Sequence, residues 1–186
     1  MRNWSRASGV VAVAIVLAVG LGAAGCGYAL AGRGNTLPAT IKIIGIPLFV
    51  NHSQTPDIDQ VLTQAVREEF NSHGRYTVNP EVEGADAVLI ATINSVTYVV
   101  TAFNQSTHQA SRYAVIVSTN VEFKDVKDNN KVLWTNPGLV FRDEYDVNSN
   151  AVGADASSFF RQDANALERL SKNFARNIVT SILEAF

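Results

Sequence analysis

Apolar positions along this chain change their period several times, and each period predicts an element. An uncharged run from Val10 to Leu21 leads into Gly22-Ala23-Ala24-Gly25 and then Cys26. It is too short for a comfortable membrane span, which takes roughly 20 residues. From Ile41 to Val50 apolar residues are nearly continuous, which predicts an interior strand covered on much of both faces. Pro47 cannot donate to a ladder, so pairing should weaken or end there. Ile58, Val61, Leu62, Ala65, Val66 and Phe70 then fall at i, i+3, i+4 spacing. This predicts a helix with Thr55 as N-cap, Pro56 at its first position and Asn71-Ser72-His73-Gly74 as its stop. Asp57 suits the helix dipole, and Arg67 and Glu68 fall on the solvated face.

Beyond Gly74 the period shortens to two. Arg75 to Val78 predicts a short strand, and the 79–84 segment must turn. Ala87 to Phe103 is a long strand rich in β-branched residues. Val88, Ile90, Thr92, Val96, Tyr98 and Val100 alternate there with Leu89, Ile93, Ser95, Thr97 and Thr101. A polar loop over 104–109 follows. The next strand puts Tyr113, Val115, Val117, Thr119, Val121 and Phe123 on one face, and Arg112, Ser118, Asn120, Glu122 and Lys124 on the other. Asp128-Asn129-Asn130-Lys131 predicts a tight hairpin. Val132 to Tyr145 returns, with Pro137-Gly138 marking a bulge or an unpaired edge. After a small-residue loop over 148–156, Phe160, Ala164, Leu167, Phe174, Ile178 and Ile182 recur at helical spacing. They predict a helix from about Ser157 to Ala185, on the order of 40 Å long. The order β-α-β-β-β-β-α predicts an α+β fold: a two-layer sandwich whose mixed, mostly antiparallel sheet of four to five strands carries both helices on one face.

Charge and small residues change the reading of the N-terminal run. Arg2 and Arg6 precede it and Ala23-Ala24-Gly25 closes it, the pattern of a signal peptide over residues 1–25. Gly27 to Pro38 is rich in glycine and has no period. It reads as a tether over 26–38, leading into one domain over 39–186. About 160 residues remain after cleavage, enough to bury a core. Because the leader carries two arginines and no acid, the net charge falls from −2 to −4 on its removal. That is no footprint of a nucleic-acid binder. A single cysteine excludes an intramolecular disulfide, so stability must come from packing.

Cleavage immediately before Cys26 resembles processing at a bacterial lipobox, here Ala23-Ala24-Gly25-Cys26, with Ala23 where a leucine is usual. The resemblance implies lipidation of Cys26 and a membrane anchor at the new N-terminus. Each buried methylene contributes about 0.8 kcal/mol, so several acyl chains hold firmly. Gly27 in place of an aspartate favours the outer membrane, by resemblance to sorted lipoproteins. An ordinary secretory signal or an uncleaved anchor helix are the alternatives.

Catalytic chemistry finds no foothold in the sequence. His52, His73 and His108 lie in loops or at a helix end, none at metal-ligand spacing with an acidic partner. Nucleophile-elbow and phosphate-loop motifs do not occur, and no cofactor or metal is expected. Lys124, Lys127 and Lys131 gather around one hairpin, and Arg112 and Arg142 should point outward from the sheet, with Glu122, Asp125, Asp128 and Asp143 among them. Two readings are open: a mixed-charge edge that discourages strand pairing, or a contact for anionic lipid through charge-assisted bonds to phosphate.

Cys26-Gly27-Tyr28 is followed by Leu30, Leu37-Pro38, the strand Ile43-Ile44-Gly45-Ile46-Pro47, a helix after Thr55 and the segment Ala85-Asp86-Ala87-Val88-Leu89. With the meander and the C-terminal amphipathic helix, this order resembles the lipopolysaccharide-assembly lipoproteins of the LptE type. The resemblance covers nearly the whole chain after Cys26. It implies a non-enzymatic lipoprotein anchored on the periplasmic face of the outer membrane. Such a protein sits inside a large β-barrel lipopolysaccharide translocon, LptD-like, helps it assemble and contributes to lipopolysaccharide transport. The barrel and lipopolysaccharide are the implied partners. A reading of a different class is a periplasmic-facing lipoprotein adaptor that activates an envelope enzyme or forms part of a secretion pore.

Overall fold

Where apolar side chains alternate the chain pairs into strands, and where they recur every three to four residues it coils over them. The computed structural model describes residues 37–106, 109–146 and 164–186. The leader, Cys26, Gly27, His108, the loop over 148–156 and the expected helix start with Phe160 lie outside the described residues. In chain order the elements are β1 (Ile43–Gly45), β2 (Val50–Asn51), α1 (Ile58–Ser72), β3 (Thr77–Asn79), β4 (Ala87–Phe103), β5 (Ala110–Asp125), β6 (Lys131–Asp146) and α2 (Ala164–Leu183).

The strands make one mixed sheet in the order β3-β1-β4-β5-β6, with β2 also beside β4. β1 and β2 run parallel to β4, whereas β4, β5 and β6 form an antiparallel meander. Buried residues of α1 and α2 share a single core with Leu89, Ile93, Val117, Val121 and Phe123 of the sheet. The α+β two-layer expectation holds, with six strands because the apolar stretch 41–50 breaks in two. α2 as described has 20 residues, about 30 Å.

The break around Pro47 is sealed from above by α1. Thr63, itself buried, accepts the Phe49 N–H through Oγ1 at 3.0 Å and donates to Asp59 O at 2.5 Å. One turn later Arg67 donates from both Nε and Nη2 to Ile46 O, at 2.9 and 2.7 Å. A buried backbone group without a partner costs about 1–3 kcal/mol, so these two side chains let the strand stop without that penalty. Arg67 is therefore a clamp on the sheet and not the solvated residue its helical position suggests.

α1 begins at Ile58 with Asp57 as N-cap, not at Thr55-Pro56. Asn51 accounts for the delay: its Nδ2 donates to Thr55 O at 2.9 Å and its Oδ1 accepts from Ser53 N at 2.8 Å. The turn so formed holds Thr55 and Pro56 out of the helix, and Asp57, at φ 59°, redirects the chain. Leu37, within the expected tether, joins the core. Leu37 is 5% exposed, and its N–H donates to the Tyr76 hydroxyl at 3.1 Å.

One inserted residue reverses the faces of β4. Register runs Ile93 opposite Thr119 and then Ser95 opposite Ser118, leaving Asn94 as a bulge whose Nδ2 donates to Asn120 Oδ1 at 2.9 Å. Leu89, Ala91 and Ile93 accordingly share the core side with Val96 and Tyr98. The sequence alternation, which groups Val96 and Tyr98 with Val88 and Ile90, fails at this point. The Pro137-Gly138 bulge is where expected, between Asn136 opposite Val121 and Leu139 opposite Thr119.

Candidate functional site

The five cations singled out from the sequence do not form one patch. Arg112 and Lys124 sit at opposite ends of β5, roughly 40 Å apart along the strand. Each of the five is paired with an acid. At one end Arg112 Nε meets Asp146 Oδ1 at 2.7 Å, and Arg142 Nη2 meets Glu144 Oε1 at 3.0 Å. At the other end Lys124 Nζ lies 2.5 Å from Glu122 Oε2 and Lys131 Nζ lies 3.7 Å from Asp128 Oδ2. Exposed pairs of this kind contribute about 0–1 kcal/mol and exchange readily with water or another anion.

Lys127 is different, because its partner is buried. Its ammonium pairs with Asp86 Oδ1, while Asp86 Oδ2 accepts the backbone N–H groups of Lys42 and Ile43, both at 2.8 Å. Asp86 O also accepts from Val126 N at 2.9 Å. One residue thus ties the entry to β1, the start of β4 and the β5–β6 hairpin. Hydrogen bonding from Lys127 first, and from the two backbone amides next, lowers the Asp86 carboxyl to about 2.

A second polar cluster joins β6 to α2. Asp143 Oδ2 accepts from the Tyr145 hydroxyl and from Asn173 Nδ2, each at 2.8 Å. The Arg169 guanidinium lies 4.2 Å from the Tyr145 ring centroid, and its Nη2 donates to Glu144 O at 3.2 Å. Burial, then the bond to Asp143, pushes the Tyr145 phenol up. This arrangement fastens a helix and presents no nucleophile or acid/base couple to solvent.

Between the two charged ends, the sheet face away from the helices carries exposed Ile90, Val99, Val132 and Val140. Asn94 and Asn120 lie among them, with Ser95 and Thr97 also exposed. Of the histidines, His52 is exposed and His73 lies at the end of α1, 3.9 Å from Glu69. Among the described residues no group of three or more His, Cys, Asp or Glu is placed to hold a metal ion. No described helix is long and apolar enough to cross a membrane.

Comparison with known proteins decides the family. A family model described as LptE, lipopolysaccharide-assembly, matches residues 41–182. The chain belongs to the LptE family. No curated protein matches the sequence. Among solved structures, the rare lipoprotein B of Shewanella oneidensis is 14% identical over 75% of this chain and 92% of that one, with a TM-score of 0.47. An uncharacterized lipoprotein B of Nitrosomonas europaea is 14% identical over 85% and 88%, with a TM-score of 0.47. A minor lipoprotein of Acinetobacter baumannii is 11% identical over 78% and 93%, with a TM-score of 0.44.

LptE membership makes this an envelope lipoprotein with a role in lipopolysaccharide assembly. Two of the short segments behind the family resemblance now have physical roles. In Ile43-Ile44-Gly45-Ile46-Pro47, Gly45 lies under the 81–85 turn: a Cβ there would sit 2.6 Å from Glu81 O and 3.1 Å from Ala85 Cβ. In Ala85-Asp86-Ala87-Val88-Leu89, the acid anchors three elements at once. Both segments secure β1 between its neighbours in the sheet.

Proposed function

We propose that the protein is an outer-membrane lipoprotein, tethered through lipidated Cys26 on the periplasmic face, that plugs and helps assemble the β-barrel lipopolysaccharide translocon. The observation that carries this reading is the family match over residues 41–182, joined to the lipobox-like Ala23-Ala24-Gly25-Cys26. The work is non-catalytic. A tether raises the effective concentration of the domain at the barrel, so no great intrinsic affinity is required. Lipopolysaccharide phosphates would meet Arg112 and Arg142 at one end of the sheet, or Lys124, Lys127 and Lys131 at the other. There they would displace exposed carboxylates, the buried partner of Lys127 excepted, in exchange for charge-assisted bonds.

Purification from detergent-extracted membranes tests the proposal. A stable one-to-one complex with a large β-barrel supports it. Association with peptidoglycan enzymes alone, or self-assembly into rings, would favour the adaptor or secretion-pore reading and overturn the plug.

A further inference from the structure

A groove of about 580 Å³ opens between α1 and α2. Its floor is apolar, with half-buried Val61 and Leu167, and it is open, with the small residues Ala65 and Ser171 along it. Val61 and Leu167 also line a recess at the start of α1, beside Ile58 and Leu170, so the apolar surface continues from one into the other. The walls carry carboxylates. Glu68 stands on the α1 side and accepts from Gln64 Nε2 at 2.8 Å, and Glu168 stands on the α2 side with Lys172 Nζ at 2.5 Å. Asp57, at the mouth of the recess, makes no capping hydrogen bond with its side chain. Three acids against one lysine leave the rim negative. From Gln60 to Glu68 the groove follows α1 for about 12 Å, the length of two helical turns.

We propose that this groove docks a cationic amphipathic helix of a partner protein. Its apolar side enters between Val61 and Leu167, and its Lys or Arg side chains meet Glu68, Glu168 and Asp57. Side chains seated in the trough between two helices pack as a third ridge would, and groove recognition of this kind rests on apolar anchors one turn apart. The sign of the rim selects the occupant, since a phosphate-bearing lipid brings like charge to these carboxylates while a basic helix brings the complement.

The test uses the full-length protein in nonionic detergent with a benzophenone side chain at Gln64. It is irradiated with a synthetic Leu/Lys helical peptide of about four turns or with its Leu/Glu counterpart. Labelling by the Lys peptide should exceed that by the Glu peptide by about tenfold at low salt, and the difference should shrink as salt is raised. Joint Glu68→Lys and Glu168→Lys, both at exposed positions, should invert the preference. Ser171→Leu fills the floor and should abolish labelling with circular dichroism unchanged. If that variant fails to fold, the charge-reversed pair decides. Equal labelling by the two peptides, indifference to charge reversal, or capture of added phosphatidylglycerol in preference to either peptide overturns the proposal.

Discussion

Lys127, on the β5–β6 hairpin, pairs with the carboxylate of Asp86 at the root of β4, where the acid is only 5% exposed. The sign of the resulting pH dependence follows from the lowered pKa. Unfolded, Asp86 titrates near 3.8, and folded near 2. The stabilisation is fully present above the unfolded value and is lost as pH falls through the window between them. With Lys127 largely exposed, its size is about 1–2 kcal/mol. Asp86→Asn should lower the urea midpoint at pH 7 and narrow its deficit against the parent between about pH 4 and pH 2. A deficit that stays constant across that window would show that the pair does not titrate as described.

Gly45→Ala should destabilise by about 1–3 kcal/mol, since the added methyl meets backbone oxygen and must push the 81–85 turn away. Gly138→Ala is the matched control, with nothing within 4 Å of its Cβ, and should change stability by less than about 0.5 kcal/mol. Chemical denaturation of the two variants side by side measures the contrast.

Thr119 Oγ1 is buried in the core with no hydrogen-bond partner among the described residues. Thr119→Val replaces an unsatisfied hydroxyl by a methyl of similar shape, and should raise stability by about 1 kcal/mol. A fall in thermal midpoint would mean that the hydroxyl has a partner in solution.

Arg67→Lys keeps the charge but loses the two-pronged grip on Ile46 O. A cost of about 1–2 kcal/mol is expected, together with faster amide hydrogen exchange at Ile46 and Phe49. Exchange that is unchanged there would remove the clamp from the account of the strand break.

On the proposed anchoring, Cys26→Ser should abolish palmitate labelling and release the protein from the membrane. A variant that stays membrane-bound and labelled would displace the lipidation reading.

Elements governed by neighbours in sequence were legible from the sequence. The limits of β4, the inward set of β5 from Val115 to Phe123 and the tight turn with Asn129 and Asn130 at φ 51° and 58° all follow from alternation and turn chemistry. What escaped depends on distant partners. Arg67 reaches a carbonyl 21 residues away and Asp86 an amide 43 residues away, and neither separation leaves a periodic trace. Asn94 escaped for another reason: a bulge without glycine or proline looks like an ordinary strand residue. The site was least legible, because charge along the chain says nothing about which acids will sit beside Lys124 or Arg112.

Asn94 gives the chain a sensitivity to length that its composition conceals. Removing this one residue would close the bulge and restore strict alternation, with Ser95 outward directly after Ile93 and Val96 and Tyr98 still facing the helices. Removing Thr97, three positions on, would instead send Tyr98 to water and bring Val99 to the helix side. In this half of the strand counting decides orientation, so one codon is dispensable at the bulge and inverts surface and lining just beyond it.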